Sequence, residues 1–288
     1  MALRMNLSKK TSRSKTVLIL SVSSDIGSYL AHQYLSLGYK VIGTFRSSQS
    51  VENLRSKAGC YLFNCDIHDA QSLLSFSRKV KKLGLKWEMF ISCVGLPTPL
   101  QAFFKSDFDQ WQHSVAINSL DQLRALHLLY PLRNSKHIAD VVFFAGGGSN
   151  EAVVKFSAYT IGKMMLTKMC EFLDAENPDL NIFIVGPGWT KTKIHQTILN
   201  DPHISKEKLL ATKKFMKQGK GTPLEDIFQC IQWLSAQGKN VAGGRNFSVV
   251  YDVWKGPQAT TLAKKLKADG HMYKLRRHGN EFMKAKGQ

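Results

Sequence analysis

The sequence is as informative in what it omits as in what it holds. No apolar run reaches the roughly 18 residues that a bilayer span requires, so no membrane span is expected. There is no CxxC and no paired Cys/His metal spacing. The five cysteines (Cys60, Cys65, Cys93, Cys170, Cys230) are odd in number and scattered. That argues against a disulfide framework or a metal centre, and for reduced thiols in a cytoplasmic protein. Internal repeats and low-complexity linkers are missing too. Acids are scarce, 21 against 40 Lys and Arg, which leaves a net charge of +19. The ends, residues 1–16 and 255–288, supply +12 of that excess. Such a charge attracts anionic surfaces and substrates. The aromatics do not interleave with the basic runs, however, so no specific nucleic-acid function is expected. The basic N-terminus precedes only a short apolar run, TVLILSV, at the bottom of the range for a signal sequence. Residues 1–15 therefore read as a disordered basic arm.

What is present is alternation. Short apolar runs at Thr16–Val22, Lys40–Phe45, Cys60–Cys65, Glu88–Val94, Asp140–Ala145, Asn181–Gly186 and Arg245–Val249 read as strands. Several are apolar throughout, as befits strands covered on both faces. Helical patterns separate them: Asp25–Leu37, His68–Leu83 with a Leu73/Phe76/Val80 stripe, one long helix Phe108–Leu129, and Val154–Leu173. In the last of these, Ala158, Ile161, Met165 and Met169 form the expected core stripe. Thr222 reads as the cap of a further helix, with Pro223 at its first position and Glu225 reaching back. The pattern predicts an α/β chain: a doubly wound, parallel, seven-stranded, Rossmann-like sheet with helices on both faces. It divides into the arm, a domain over 16–250 and a basic extension over 251–288. Within the domain, Lys191–Gly221 lacks a strand and carries Lys193, His195, Lys206, Lys208, Lys213, Lys214, Lys217 and Lys220. It reads as a substrate lid over the carboxyl ends of the strands.

Two short patterns carry chemistry. Val17–Arg46 reads strand, tight turn, helix, strand, the form in which a helix N-terminus receives a pyrophosphate. Only Gly27 remains of a three-glycine pattern, with Ser21 and Asp25 at the other positions. Asp25 would face the pyrophosphate unless it turned away to cap the helix or bond the loop. Tyr159 and Lys163 lie four residues apart, so on a helix they share a face. An ammonium beside a phenol lowers its pKa and suits it to proton transfer with a carbonyl or alcohol oxygen.

These patterns fall in order with others: Leu20–Gly27, Asp66 in CDI, Ser92-Cys93-Val94-Gly95, Asn118 in AINSL, Tyr159–Lys163, and Pro187-Gly188 with Thr192 beyond. In this the chain resembles the short-chain dehydrogenase/reductase family over roughly residues 16–250. The resemblance implies a dinucleotide cofactor. It would be held by the turn residues Ser21, Ser23, Ser24, Asp25, Ile26 and Gly27, by Asp66 and Ile67 at the adenine, and by Val94, Gly95, Asn118, Tyr159 and Lys163. Pro187, Gly188, Thr190 and Thr192 complete that set. It also implies a Tyr159 proton donor, a ribose bond from Lys163, and an Asn118-anchored water linking Lys163 to solvent. The substrate-binding serine usual in the family falls on Ala145 or Gly146, so the chain reads as an atypical member. Ser149 is the nearest hydroxyl, and the Gly146–Gly148 backbone offers N–H donors instead.

The second strand ends Thr44-Phe45-Arg46-Ser47-Ser48 without the acid that bonds a ribose in NAD-selective proteins. Arg46 suits a 2′-phosphate, which favours NADP(H), with NAD(H) as the alternative. The leading expectation is an NADP(H)-dependent oxidoreductase on a carbonyl/alcohol pair, its substrate a small molecule with an anionic or sugar-linked option. The resemblance further implies a homodimer or homotetramer. The alternatives are a degenerate nucleotide-binding sensor or scaffold, and a sugar-nucleotide-modifying enzyme.

Overall fold

In the computed structural model, which describes residues 14–47, 51–148 and 151–277, the strands pair in parallel in the order β3-β2-β1-β4-β5-β6-β7. They are β1 (Thr16–Leu20), β2 (Lys40–Phe45), β3 (Cys60–Asn64), β4 (Met89–Ser92), β5 (Ala139–Phe144), β6 (Leu180–Gly186) and β7 (Asn246–Ser248). These are the strands read from the sequence, with ends shifted by at most two residues. The order reverses between β1 and β4, which opens a crevice at the carboxyl ends of the strands there. The expected basic arm falls almost wholly outside the described residues. No helix among the described residues is long and apolar enough to cross a membrane.

Side chains alternate across each strand. Val17 and Ile19 of β1 enter one core layer, while Leu18 and Leu20 enter the other. The first layer is filled by α1 (Asp25–Ser36) and α9 (Leu224–Gln237), through Leu30, Tyr34, Ile231 and Leu234. The second is filled by α3 (Ala70–Lys82), α5 (Leu120–Leu129) and α6 (Ser157–Glu176), through Leu73, Phe76, Val80, Leu129 and Leu166. The short α2 (Glu52–Arg55) closes the β2–β3 connection.

Three local expectations are corrected. The helix expected over Phe108–Leu129 is two, α4 (Phe108–Asn118) and α5, broken at Ser119, whose φ and ψ are −144 and −77. Its cause is side-chain competition for the backbone. Ser119 Oγ donates to the Val115 carbonyl at 2.6 Å, and Asn118 Nδ2 donates to that of Ser114 at 2.8 Å. Secondly, the buried stripe of α6 is Ala158, Gly162, Leu166 and Cys170, while Ile161 is exposed and Met165 and Met169 are half-buried. Gly162 sets that rotation: a Cβ there would fall 2.6 Å from Asn118 Cβ, so the glycine must face α4. Thirdly, the cap position of α9 is Pro223, with no side-chain cap bond. Glu225 instead accepts from the Tyr29 hydroxyl and from Gln229. The segment read as a lid is strandless, as expected, and holds two helices, α7 (Lys193–Leu199) and α8 (Lys206–Gln218).

The C-terminal segment covers an edge. After α10 (Lys239–Ala242), Arg245 is 5 % exposed and donates to the carbonyls of Met272, Val241, Leu266 and Asp269. It thereby fastens α11 (Gln258–Ala268) to the sheet, with Leu262 and Leu266 in the core. The Asn246 N–H of the edge strand donates to the Tyr273 carbonyl at 2.9 Å, so β7 is not left open to another chain. Hydrogen bonds to charged groups contribute roughly 1.5–3 kcal/mol each. Arg245→Met is expected to lower amide-exchange protection across Leu262–Leu266 by about 3 kcal/mol, leaving β1–β5 protected; equal loss throughout would contradict the local clamp.

Candidate active site

The glycine-poor turn after β1 works because Ser21 adopts the left-handed conformation, φ +58. Its N–H donates to Thr44 Oγ1 at 2.9 Å, and its carbonyl accepts from Ser24 Oγ and N–H. Such bonds stabilise a non-glycine residue where glycine is the rule. Ser24 then caps α1 by accepting from the Gly27 N–H at 3.1 Å. Gly27 is indispensable to this packing, since a Cβ would lie 2.4 Å from the Ser21 carbonyl oxygen. Asp25 turns away from the helix axis: its Oδ2 accepts from the Lys193 N–H at 2.6 Å, tying the turn to α7.

A crevice of about 1560 Å³ lies at the carboxyl ends of β1, β4, β5 and β6. It exceeds the roughly 300–1,000 Å³ of a site for one drug-sized ligand, leaving room for a dinucleotide and a substrate. Of the residues expected to hold a cofactor, Ser24, Asp25, Ile26, Val94 and Gly95 line it from one side, and Pro187, Gly188, Thr190 and Thr192 from the other. A Cβ on Gly95 would meet nothing closer than Ile194 at 3.7 Å, so the backbone there is open to a bound group. Ser21, Ser23 and Gly27 shape the turn from behind rather than lining the crevice. Arg46 and Asp66 lie beyond it on the exposed side of the sheet, and Ile67 is buried. Asp66 Oδ1 accepts from the His68 N–H at 3.0 Å.

Tyr159 and Lys163 do share a face of α6, with the Lys163 ammonium 5.9 Å from the Tyr159 ring centroid. Lys163 is 3 % exposed, and its Nζ donates to the Val94 carbonyl at 2.8 Å. Burial pulls its pKa down from 10.5 to about 8, with a nearby Cys93 opposing the shift. Holding the charged form there costs roughly 3 kcal/mol of stability. The sign follows from the depressed value: the cost is full below about 8 and vanishes above 10.5.

For Tyr159 the shift is opposite to that expected from the sequence. Burial pushes the phenol up to about 12, and the ammonium, aimed at Val94, does not reverse it. From the chain's own groups, Tyr159 rests as a neutral phenol. Its hydroxyl makes no hydrogen bond among the described residues. The ring lies on Gly146, where a Cβ would stand 2.4 Å from Cε1 and 2.9 Å from Oη. Gly146 is thus one of the two positions at which a serine was sought, and in this arrangement it has no room for a side chain. Ala145 continues β5 by donating to the Val185 carbonyl at 3.0 Å. Ser149 lies outside the described residues, as does Ser48.

Asn118 does not line the crevice. It is fully buried, with Oδ1 accepting from the Leu96 N–H at 3.0 Å and Nδ2 donating to the Leu96 carbonyl at 2.7 Å. Its side chain fixes the path of the chain leaving β4. The sequence reading did not single out Trp189, Thr212 or Phe215, which also line the crevice. Their only signal was the spacing Lys208, Thr212, Phe215 along one helical face, hidden within a lysine-rich stretch.

The comparisons agree with this geometry. A family model described as short chain dehydrogenase matches residues 15–203. An uncharacterized oxidoreductase of Mycobacterium tuberculosis is 22 % identical over 204 residues, 67 % of this chain and 57 % of that protein. The chain therefore spans well under two thirds of that relative's length. A benzil reductase, (S)-benzoin forming, of Saccharomyces cerevisiae is 22 % identical over 196 residues, 64 % of this chain and 74 % of that one. Among solved structures, a short-chain dehydrogenase/reductase from Saccharomyces cerevisiae superposes with a TM-score of 0.76 at 21 % identity, covering 87 % of this chain and 99 % of its own. A short-chain dehydrogenase from Shigella flexneri, complexed with NADP, gives 0.68 at 18 % identity, covering 84 % and 99 %. Sheet order, the turn built on Gly27, the Tyr159–Lys163 pair and a family match over well more than half the residues converge: the chain belongs to the short-chain dehydrogenase family.

Proposed function

We propose that the chain is an NADP(H)-dependent oxidoreductase that interconverts a carbonyl and an alcohol, with Tyr159 donating or accepting the proton. The observation that carries this reading is the unpartnered Tyr159 hydroxyl, on a ring whose centroid is 5.9 Å from the buried Lys163 ammonium, in a crevice walled by dinucleotide-type elements. The residues present fit such a cofactor. Ser24 and the first turn of α1 would hold its pyrophosphate, the open backbone at Gly95 would admit a flat ring, and Lys163 would bond a ribose. When bound, the nicotinamide supplies or accepts the hydride.

The rest is done by the chain. In the direction of reduction, a neutral phenol is the form that holds a proton to give. Tyr159 passes it to the carbonyl oxygen as that oxygen gains charge, and the phenolate left behind lies beside the Lys163 ammonium. Lys163 therefore acts after the transfer, stabilising the product state, rather than by acidifying the resting phenol. In place of a serine hydroxyl, Gly146, Gly147 and Gly148 line the crevice, and none of their N–H groups has a partner among the described residues. Such donors can steady a developing oxyanion. Exposed Leu120, Ile161 and Phe172 on α5 and α6 support assembly into a homo-oligomer, and reduced cysteines suit a cytoplasmic setting.

Tyr159→Phe is expected to abolish NADPH consumption against a panel of ketones and aldehydes while leaving NADPH affinity within about threefold, because the lost group is a reacting one. Binding of NADPH with no turnover by the unaltered chain would instead favour a sensor or scaffold. Arg46 is exposed at the end of β2 and makes no ion pair among the described residues. Its loss as a partner for a 2′-phosphate is worth about 10–100-fold. Arg46→Ala should therefore cut kcat/KM for NADPH by roughly that factor and leave NADH unchanged; equal loss with both cofactors would contradict the NADP(H) assignment.

A further inference from the structure

The lid has two unlike faces. Of its lysines, Lys206, Lys213, Lys214 and Lys217 are exposed away from the crevice and Lys193 and Lys220 are exposed at its rim, whereas Lys208, like His195, is half-buried within it. Along α8, Lys208, Thr212 and Phe215 stand at successive turns of one helical face. Trp189 receives Lys208, Phe215 and His195: its ring lies 4.8 Å from that of Phe215 and 5.8 Å from that of His195, with the Lys208 ammonium 4.9 Å above it. That ammonium is also 5.3 Å from the ring of Phe156, which packs with Tyr159 and Ile198. The cluster therefore adjoins the proton-transfer centre from the substrate side.

The polar groups in this cluster lack partners. Thr212 is 1 % exposed, yet its hydroxyl makes no hydrogen bond, not even to the helix carbonyl one turn back. His195 Nδ1 is buried and unpaired as well. An unsatisfied buried polar group costs roughly 1–3 kcal/mol. Lys208 has only ring faces as neighbours and no carboxylate among the described residues. Nearby acids are engaged elsewhere: Asp25 with the Lys193 N–H, Asp226 with Lys255 and Asp252 with the Ser248 N–H, while Glu151 is exposed. Burial lowers the pKa of both Lys208 and His195, with the Thr192 backbone opposing the shift at the imidazole, and an anion would stabilise the Lys208 ammonium. A hydroxyl, an unpaired cation and aromatic walls together form a receptor for an anion on a flat apolar body.

We propose that the inner face of the lid is a substrate subsite for an oxyanion, a carboxylate or phosphate carried on a flat apolar group, which meets the Lys208 ammonium and the Thr212 hydroxyl while its body lies against Trp189 and Phe215. This rests on the reductase reading for its role but not for its chemistry. Lys206, Lys213, Lys214 and Lys217 do not line the crevice, and the half-buried Lys208, rather than the rim lysines Lys193 and Lys220, carries the contact.

The test is calorimetric titration of the full chain with benzoate, phenyl phosphate and the neutral benzamide, independent of turnover. The expected result is that one or both anions bind at least about tenfold tighter than benzamide, as for a charge-assisted contact. The better anion tells a carboxylate substrate from a phosphorylated one. Lys208→Met should bring the anions to the benzamide level, Thr212→Val should weaken them about threefold or more, and Lys208→Arg should retain the preference. Equal binding of all three probes, or a preference that survives Lys208→Met, would overturn the subsite. A protein that shows the preference but never turns over would sink the reductase reading alone, and an active reductase without the preference would sink the subsite alone.

Discussion

The hydrogen bond from the Lys163 ammonium to the Val94 carbonyl, 2.8 Å long, joins helix α6 to the chain leaving β4 inside the protein. Together with the paired bonds between Asn118 and Leu96, it sets where that chain runs and hence where the crevice opens. Burying an ammonium is unfavourable, and the depressed pKa of Lys163 reports the strain. The structure tolerates it because α6 cannot rotate away. Gly162 is pressed against Asn118, and any side chain there would force the helices apart. One helical register thus places the glycine on α4, the lysine on β4 and the tyrosine at the crevice.

That register also determines what kind of acid Tyr159 is. Its half-buried ring rests on Gly146, and burial makes its phenol hold its proton more tightly than a free tyrosine. A resting neutral phenol suits reduction, in which the proton must be present before charge develops on the substrate. In the proposed subsite, the adjoining helices α7 and α8 contribute recognition. Asp25, which might have repelled a pyrophosphate, is instead consumed in holding α7 in place. Helix α7 and the turn after β1 are in this way joined.

Much of this was legible in the residues. Runs such as TVLIL are apolar on both faces and can only be interior strands, and seven of them with intervening helices dictate the sheet. Tyr159 and Lys163 were legible because a helix repeats every 3.6 residues. What failed to show was anything set by long-range packing. The Ile161/Met165/Met169 stripe looked like core because hydrophobicity was counted, whereas Gly162, with no side chain to count, decided the rotation. The break at Ser119 came from side chains bonding their own helix. The acidifying effect assigned to Lys163 ignored where its ammonium points. In the lid the lysines look alike in sequence, and only burial separates Lys208 from the exposed ones.

The account stands on the resting protonation of one phenol. With tyrosine isotope-labelled at the ring carbon that bears the hydroxyl, and the signal of Tyr159 assigned among the 8 tyrosines by its disappearance in Tyr159→Phe, the pH dependence of that signal can be followed by NMR in the cofactor-free chain. It should remain that of a neutral phenol through the neutral range and change only as the pH nears about 12. A phenolate signal already present at neutral pH would show that Lys163 acidifies the resting tyrosine, and would contradict the account.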